Sequence, residues 1–234
     1  MPIYKIADLN ILINPIFDNV KNRLKPYLSP DKNFDFDVSA TMDEINKICS
    51  KTNLHCTPEN AENTILLTKI CHNILKYYNG FFFHSSSVAI NGEAYVFSAQ
   101  SGTGKSTHTA LWRKHFGKDA VMINDDKPII RKNNGKFFIY GTPWMGKSDI
   151  GNNIKVPVKA IYILRRSPSN SVSRVKVGEV FKDLLEATLV PKDKTQMLTL
   201  LGLMDEFFSS VPLFVLNCNT SDEAVITAFN AVNN

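Results

Sequence analysis

Between Tyr95 and Thr107 the chain reads Tyr-Val-Phe-Ser-Ala-Gln-Ser-Gly-Thr-Gly-Lys-Ser-Thr. A strand-like apolar run ends in a glycine-rich turn, and a helical pattern begins at Lys105. The stretch from Ala99 to Ser106 has P-loop spacing, with Ala99 standing where the first glycine is usual. Backbone N–H groups can converge on phosphate oxygens there only in conformations that a Cβ obstructs, hence Gly102 and Gly104. The helix start adds aligned N–H groups and partial positive charge. Ala99, Gln100, Ser101, Gly102, Thr103, Gly104, Lys105, Ser106 and Thr107 are therefore expected to hold nucleotide phosphates. Lys105 can reach the β- and γ-phosphates, and the Ser106 hydroxyl can join a Mg²⁺ shell. The plain alternative is a connector that binds nothing. The order strand, turn, helix argues against it.

At 234 residues the chain can form one large domain, or a core domain with a smaller N-terminal piece. Hydrophobic residues make up 44% and charged residues 21%, which suits a globular protein with a full core. The net charge of +5 is scattered and suits an anionic ligand. No Arg/Lys tract with interleaved aromatics suggests a nucleic-acid partner. Met-Pro-Ile-Tyr-Lys-Ile has no leader pattern and no apolar run is long enough for a membrane, so a cytoplasmic protein is expected. Cys49, Cys56, Cys71 and Cys218 form no CxxC pair and are expected as reduced thiols.

Taken in order, residues 4–13 alternate as one or two strands, and residues 34–38 as another. Thr41 and Glu44 have capping-box spacing before a helix that starts near Met42, and a longer helix is expected over residues 59–78, stopped by Asn79-Gly80. His55 and His72 each stand beside a Cys, but without a clustered partner motif they read as packing or surface residues. Strands are expected at 81–84, 87–90 and 93–97, the last two joined by an Asn91-Gly92 hairpin. More strands follow at 120–123, 129–131, 136–140 and 158–164. Helices over 178–189 and 192–210, a strand at 213–217 and a helix from Ser221 complete the chain. The hairpins imply a mixed sheet around the glycine-rich turn. The fold class is thus α/β: a small N-terminal α+β region over 1–79, then a P-loop domain over 80–234 whose last part is helical.

Asp125-Asp126 ends the strand that follows the first helix after the turn, a placement suited to a carboxylate near Mg²⁺. One carboxylate could hold metal and the other accept a proton from an incoming hydroxyl. An Asp-rich turn before Lys127-Pro128 is the alternative. His84, alone after three Phe residues, reads by itself as a core or edge histidine.

Phe83-His84-Ser85-Ser86-Ser87-Val88, the segment Phe97–Thr107 and Ile123-Asn124-Asp125-Asp126 together resemble the catalytic core of phosphoenolpyruvate carboxykinases and of HPr kinase/phosphorylases, over roughly residues 80–166. The resemblance implies metal roles for Ser106, Asp126 and His84, with Mg²⁺ at Ser106 and a second divalent metal near His84. It implies Asp125 as base and Asp126 as metal-linked carboxylate, with their order open because the pair titrates as a unit. The carboxykinases need upstream cationic residues for a keto acid, and this N-terminal third has no such cluster. The segment Tyr140–Lys147 replaces the stretch that follows the Asp pair in HPr kinases. Trp144, Lys147 and Arg165 are expected on the acceptor side. The chain looks most like the small HPr-kinase-like proteins, which implies an ATP- and Mg²⁺-dependent kinase acting on a serine-like hydroxyl of a small molecule, peptide or protein. A nucleotide-binding regulatory module and a carboxykinase are the alternatives, and homo-oligomerisation stays open.

Overall fold

The computed structural model describes residues 1–51 and 56–233, so His55 lies outside the described residues. Strands β1 (Ile3–Ile6) and β2 (Leu9–Ile13) pair antiparallel, and β3 (Phe36–Val38) joins β2 in parallel. The two-residue turn Ala7-Asp8 has φ of 53° and 62°, the primed geometry that matches strand twist. Helix α1 (Asp18–Leu24) was not expected from the sequence. It has no side-chain cap of its own. Instead the buried Glu62 carboxylate accepts the amides of Ile16 and Phe17 at 2.6 and 3.1 Å.

Helix α2 (Met42–Lys51) starts with the expected reciprocal cap: Glu44 N donates to Thr41 Oγ1 at 3.2 Å, and Thr41 N to the Glu44 carboxylate at 3.0 Å. Helix α3 (Pro58–Tyr77), the one carrying Glu62, is capped by Thr57 and followed by Asn79 at φ 50°.

The second sheet holds β4 (Gly80–Phe82), β5 (Ser86–Ile90), β6 (Glu93–Ser98), β7 (Ala120–Asn124), β8 (Ile129–Asn133), β9 (Lys136–Tyr140), β10 (Lys155–Arg166), β11 (Ser171–Arg174) and β12 (Leu213–Cys218). Its order is β4-β8-β9-β10-β6-β5-β7, with β12 also on β10 and β11 on β12. β6 and β12 run parallel to β10, and the remaining pairs are antiparallel, which makes the sheet mixed. β10 begins three residues before the apolar run seen in the sequence, because Lys155–Pro157 pair with β9.

Period-2 alternation divides these strands between two cores. Val96, Ile161 and Ile163 pack towards Leu184 of α5 (Val177–Glu186) and Phe207 of α6 (Lys194–Ser210). Tyr95, Phe97, Tyr162 and Leu164 pack with Trp112 of α4 (Lys105–Phe116) and Ala228 of α7 (Asp222–Asn233). Cover on both faces explains why the central strands are apolar throughout. A third core joins Ile11, Leu66 and Ile70 to Ile129, Tyr140 and Trp144. There Arg131 donates to the carbonyls of Ala7 (2.5 Å) and Tyr78 (2.9 Å), while the Asp8 carboxylate accepts from Lys155 (2.7 Å) and the Tyr140 hydroxyl (3.1 Å). Among the described residues no helix is long and apolar enough to cross a membrane, and all four cysteines are free.

Candidate active site

The β5–β6 hairpin delivers the glycine-rich turn. β6 is buried from Ala94 to Ser98, and the chain leaves it through Gly102 (φ 81°) and Gly104 (φ 118°) before α4 starts at Lys105. Both glycines lie where an L side chain would be strained. Helices α2, α3 and α6 are capped by Thr41, Thr57 and Asp193, but α4 has no side-chain cap. Its first amides are thus free for an anion. Lys105 is buried, and its Nζ donates to the Ala99 carbonyl at 3.0 Å. Burial lowers its pKa, and the charges of Asp126 and Asp125 oppose that shift.

β5 and β7 pair side by side, which brings the carboxylates to the same end of the sheet. Buried Asn124 accepts the amides of Asp126 (2.9 Å) and Lys127 (2.7 Å) through Oδ1 and donates to the Thr142 carbonyl at 3.0 Å. This side-chain turn makes the Asp-Asp corner rigid. Asp125 is buried, and its Oδ1 accepts from the Ser86 hydroxyl at 2.5 Å; Thr109 Oγ1 lies 2.7 Å from the same hydroxyl. Asp126 lies 3.1 Å from His84 Nε2 and 2.8 Å from Lys127 Nζ. Burial works to raise the Asp126 pKa, but hydrogen bonds from His84 and Lys127 outweigh it and hold the carboxyl at about 2.

The strand expected over 81–84 ends at Phe82, so His84 stands beyond it. It lies in the link between β4, which pairs with β8, and β5. Its amide donates to the Ala187 carbonyl at 2.6 Å, and its carbonyl accepts from Ser98 at 3.1 Å, which fixes the ring towards Asp126.

These groups share a cavity of about 720 Å³, lined by His84, Ser101, Gly102, Gly104 through Thr107, Asp125, Asp126 and Gly146 through Ser148. That volume lies within the small-molecule range of roughly 300–1,000 Å³. Lys147 lines this cavity. Trp144 does not: it is buried in the N-terminal core. Arg165 turns to Asp183 at 2.7 Å and lines other cavities. His72 lies with Asp37, Ser39 and Lys69 in a separate depression. Among the described residues, no group of three or more His, Cys, Asp or Glu side chains could hold a metal ion. Hard-cation chemistry still fits here, since the Ser106 hydroxyl and the Asp125 and Asp126 carboxylates line one cavity and such ions take phosphate oxygens and water as further ligands.

The sequence reading missed Ser86 and Thr109 as partners of Asp125. It also missed Arg166, whose guanidinium donates to the Thr103 carbonyl (3.0 Å) and to the Gly102 carbonyl. Alternation along β10 was the available signal, since adjacent Arg165 and Arg166 must face opposite ways.

No family model matches this sequence, and no curated protein matches it. Among solved structures, the Hpr(Ser) kinase/phosphatase from Coxiella burnetii is similar with a TM-score of 0.35 and 11% identity, over 65% of this chain and 88% of that chain.

Proposed function

We propose that this chain is a kinase of the P-loop, HPr-kinase-like type, transferring the γ-phosphate of ATP to a serine-like hydroxyl on a small molecule, peptide or protein. One observation carries the reading: an uncapped helix start, a buried lysine, a hydroxyl and two carboxylates share one cavity. Lys105 exchanges the Ala99 carbonyl for phosphate oxygens, a stronger, charge-assisted partner. Ser106 and Asp126 are the residues that would hold Mg²⁺, which when bound neutralises charge on the β- and γ-phosphates. His84 and Lys127 keep Asp126 ionised. Its geometry is that of a hydrogen-bonded pair, and we assign His84 that positioning role rather than a second metal. Asp125, with one oxygen held by Ser86, accepts the hydroxyl proton through the other. Lys147, which lines the same cavity, contacts the acceptor in this reading. Positioning and charge neutralisation supply most of the acceleration.

The test incubates the protein with γ-labelled ATP and Mg²⁺, and offers serine, threonine, short peptides and a cell lysate as acceptors. Label on a hydroxyl, lost in Asp125→Asn while nucleotide affinity is kept, supports the assignment. ATP binding with no labelled acceptor in any arm refutes it in favour of a regulatory module.

A further inference from the structure

The parallel strands β6, β10 and β12 end side by side, with Ile163 paired to Ser98 and Arg166 to Cys218. Ligands of such sheets bind beyond the carboxyl ends of the parallel strands. Three connections leave those ends: the glycine-rich turn, Arg165–Ser167 and Cys218–Thr220. Between them and the start of α4 lies a cavity of about 300 Å³. It shares Gly104 and Thr107 with the larger cavity and contains neither carboxylate. Leu111 and Leu164 give it apolar walls. A third depression beside the turn is lined by Lys182, Asp183 and Glu186 and suits a flat apolar ring far less.

We propose that this 300 Å³ cavity receives the nucleobase, and that it accepts adenine and guanine nucleotides alike. The proposal rests on the phosphate-site reading above. Its second half follows from how most polar side chains of the walls are engaged; His108 Nδ1 has no partner but is closed off from the surface. Asn219 Oδ1 accepts from Ser221 N at 2.9 Å and Ser221 Oγ at 2.7 Å, and one of its two Nδ2 hydrogens goes to the Pro168 carbonyl at 3.0 Å, so its oxygen is engaged and the one remaining donor can meet an acceptor on either purine. Arg165 is held by Asp183, and Arg166 by the carbonyls of the turn. No carboxylate lines the cavity among the described residues, so guanine's N1–H and amino group find no charged acceptor. The Thr220 hydroxyl can donate or accept and so suits either base edge. Pockets that grip by apolar contact discriminate by roughly 10–200-fold at most, whereas a site built to hydrogen-bond its ligand reaches about 10⁴–10⁵.

Calorimetry on the intact protein with Mg²⁺ compares ATP, GTP and inorganic tripolyphosphate, which carries the phosphates without a base. Both nucleotides should bind about tenfold or more tighter than tripolyphosphate, from burial of the base, and within about tenfold of each other. Leu111→Trp and Thr220→Tyr each fill the cavity from a different element. Each should remove most of the nucleoside advantage and leave tripolyphosphate affinity within about twofold, because neither touches the phosphates. Nucleotides that bind no tighter than tripolyphosphate, or that keep their advantage in both variants, would show that the base lies elsewhere. A preference beyond about 100-fold for one purine would overturn the claim of tolerance. If a filled variant also loses tripolyphosphate, it has lost its fold and the wild-type comparison decides. Failure of the wild type to bind tripolyphosphate sinks the phosphate-site reading, and this inference with it.

Discussion

Gly146→Ala tests how the loop after β9 is seated on the carboxylates. Gly146 has φ 67°, and a Cβ there would stand 2.9 Å from Asp126 Cβ and 3.3 Å from its Cγ. Gly92, in the hairpin at φ 77°, would meet nothing within 4 Å and serves as the control. Both alanines carry the left-handed penalty of about 1–2 kcal/mol. Only the one at Gly146 adds overlap with a neighbour, for which overpacking contributes about 1–3 kcal/mol more. The expected losses are therefore about 1–2 kcal/mol for Gly92→Ala and about 2–5 kcal/mol for Gly146→Ala. Asp126 cannot retreat freely, because His84 and Lys127 hold its carboxylate and Asn124 its amide. The loop moves instead and takes Lys147 and Ser148 with it. A shift of about 1 Å in a positioning group can lower turnover ~100-fold, so folded Gly146→Ala should lose transfer activity while Gly92→Ala keeps it. Urea unfolding of the two variants gives the stabilities, and labelled-phosphate transfer gives the rates. Equal destabilisation in the two, with turnover preserved in both, would refute the seating.

Lys105→Ala should weaken Mg-ATP binding by about 1.5–3 kcal/mol, the worth of a hydrogen bond to a charged group; unchanged affinity by calorimetry contradicts the phosphate role. His108 supplies a pH dependence. Trp112 Nε1 can only donate, so His108 Nε2 accepts it at 3.0 Å as a neutral ring, and burial lowers the His108 pKa to about 4. The unfolded chain takes up this proton at about 6.5, so stability should fall as pH drops from about 6.5 to about 4 and change no further below that, by about 3 kcal/mol in all. Stability curves at several pH values should show that slope in the wild type, and its persistence in His108→Gln would refute the assignment. Glu62→Gln replaces a carboxylate that holds two amides by a group with one accepting oxygen. It should lower stability by about 1–3 kcal/mol, and a neutral result in urea would mean that α1 needs no such cap.

What the sequence made legible is what local chemistry decides. Asn91-Gly92 and Asn134-Gly135 mark hairpins because few residues accept φ above zero, and Thr41 with Glu44 marks a helix start through bonds three residues apart. Where the deciding partner is distant, the reading ran short. α1 is seven residues long and takes its cap from Glu62 on another helix. β11 reads Ser-Val-Ser-Arg and is largely exposed, so its strand character comes from pairing with β12. Pro157 looks like a boundary until β9 is beside it. The loop, Lys105 and both carboxylates, singled out by spacing, line one cavity. Trp144 lies elsewhere, and an aromatic residue in a turn-rich loop gives no local sign of which core it enters. Arg166 was passed over for its neighbour, since only the strand's alternation separates them.

The third core described above has a consequence for how the chain is made. Ile129, Tyr140 and Trp144 complete a cluster whose other members lie before residue 79. The Asp8 carboxylate takes its hydrogen bonds from Tyr140 and Lys155. At a ribosomal rate of ~5–20 residues per second, roughly 4–16 s separate the end of α3 from the first residue of β10. Through that interval the apolar residues of the first 79 positions lack the partners that Ile129, Tyr140 and Trp144 supply in the folded chain. The part of the chain that reads most like a lobe of its own is, on the ribosome, the part that has to wait.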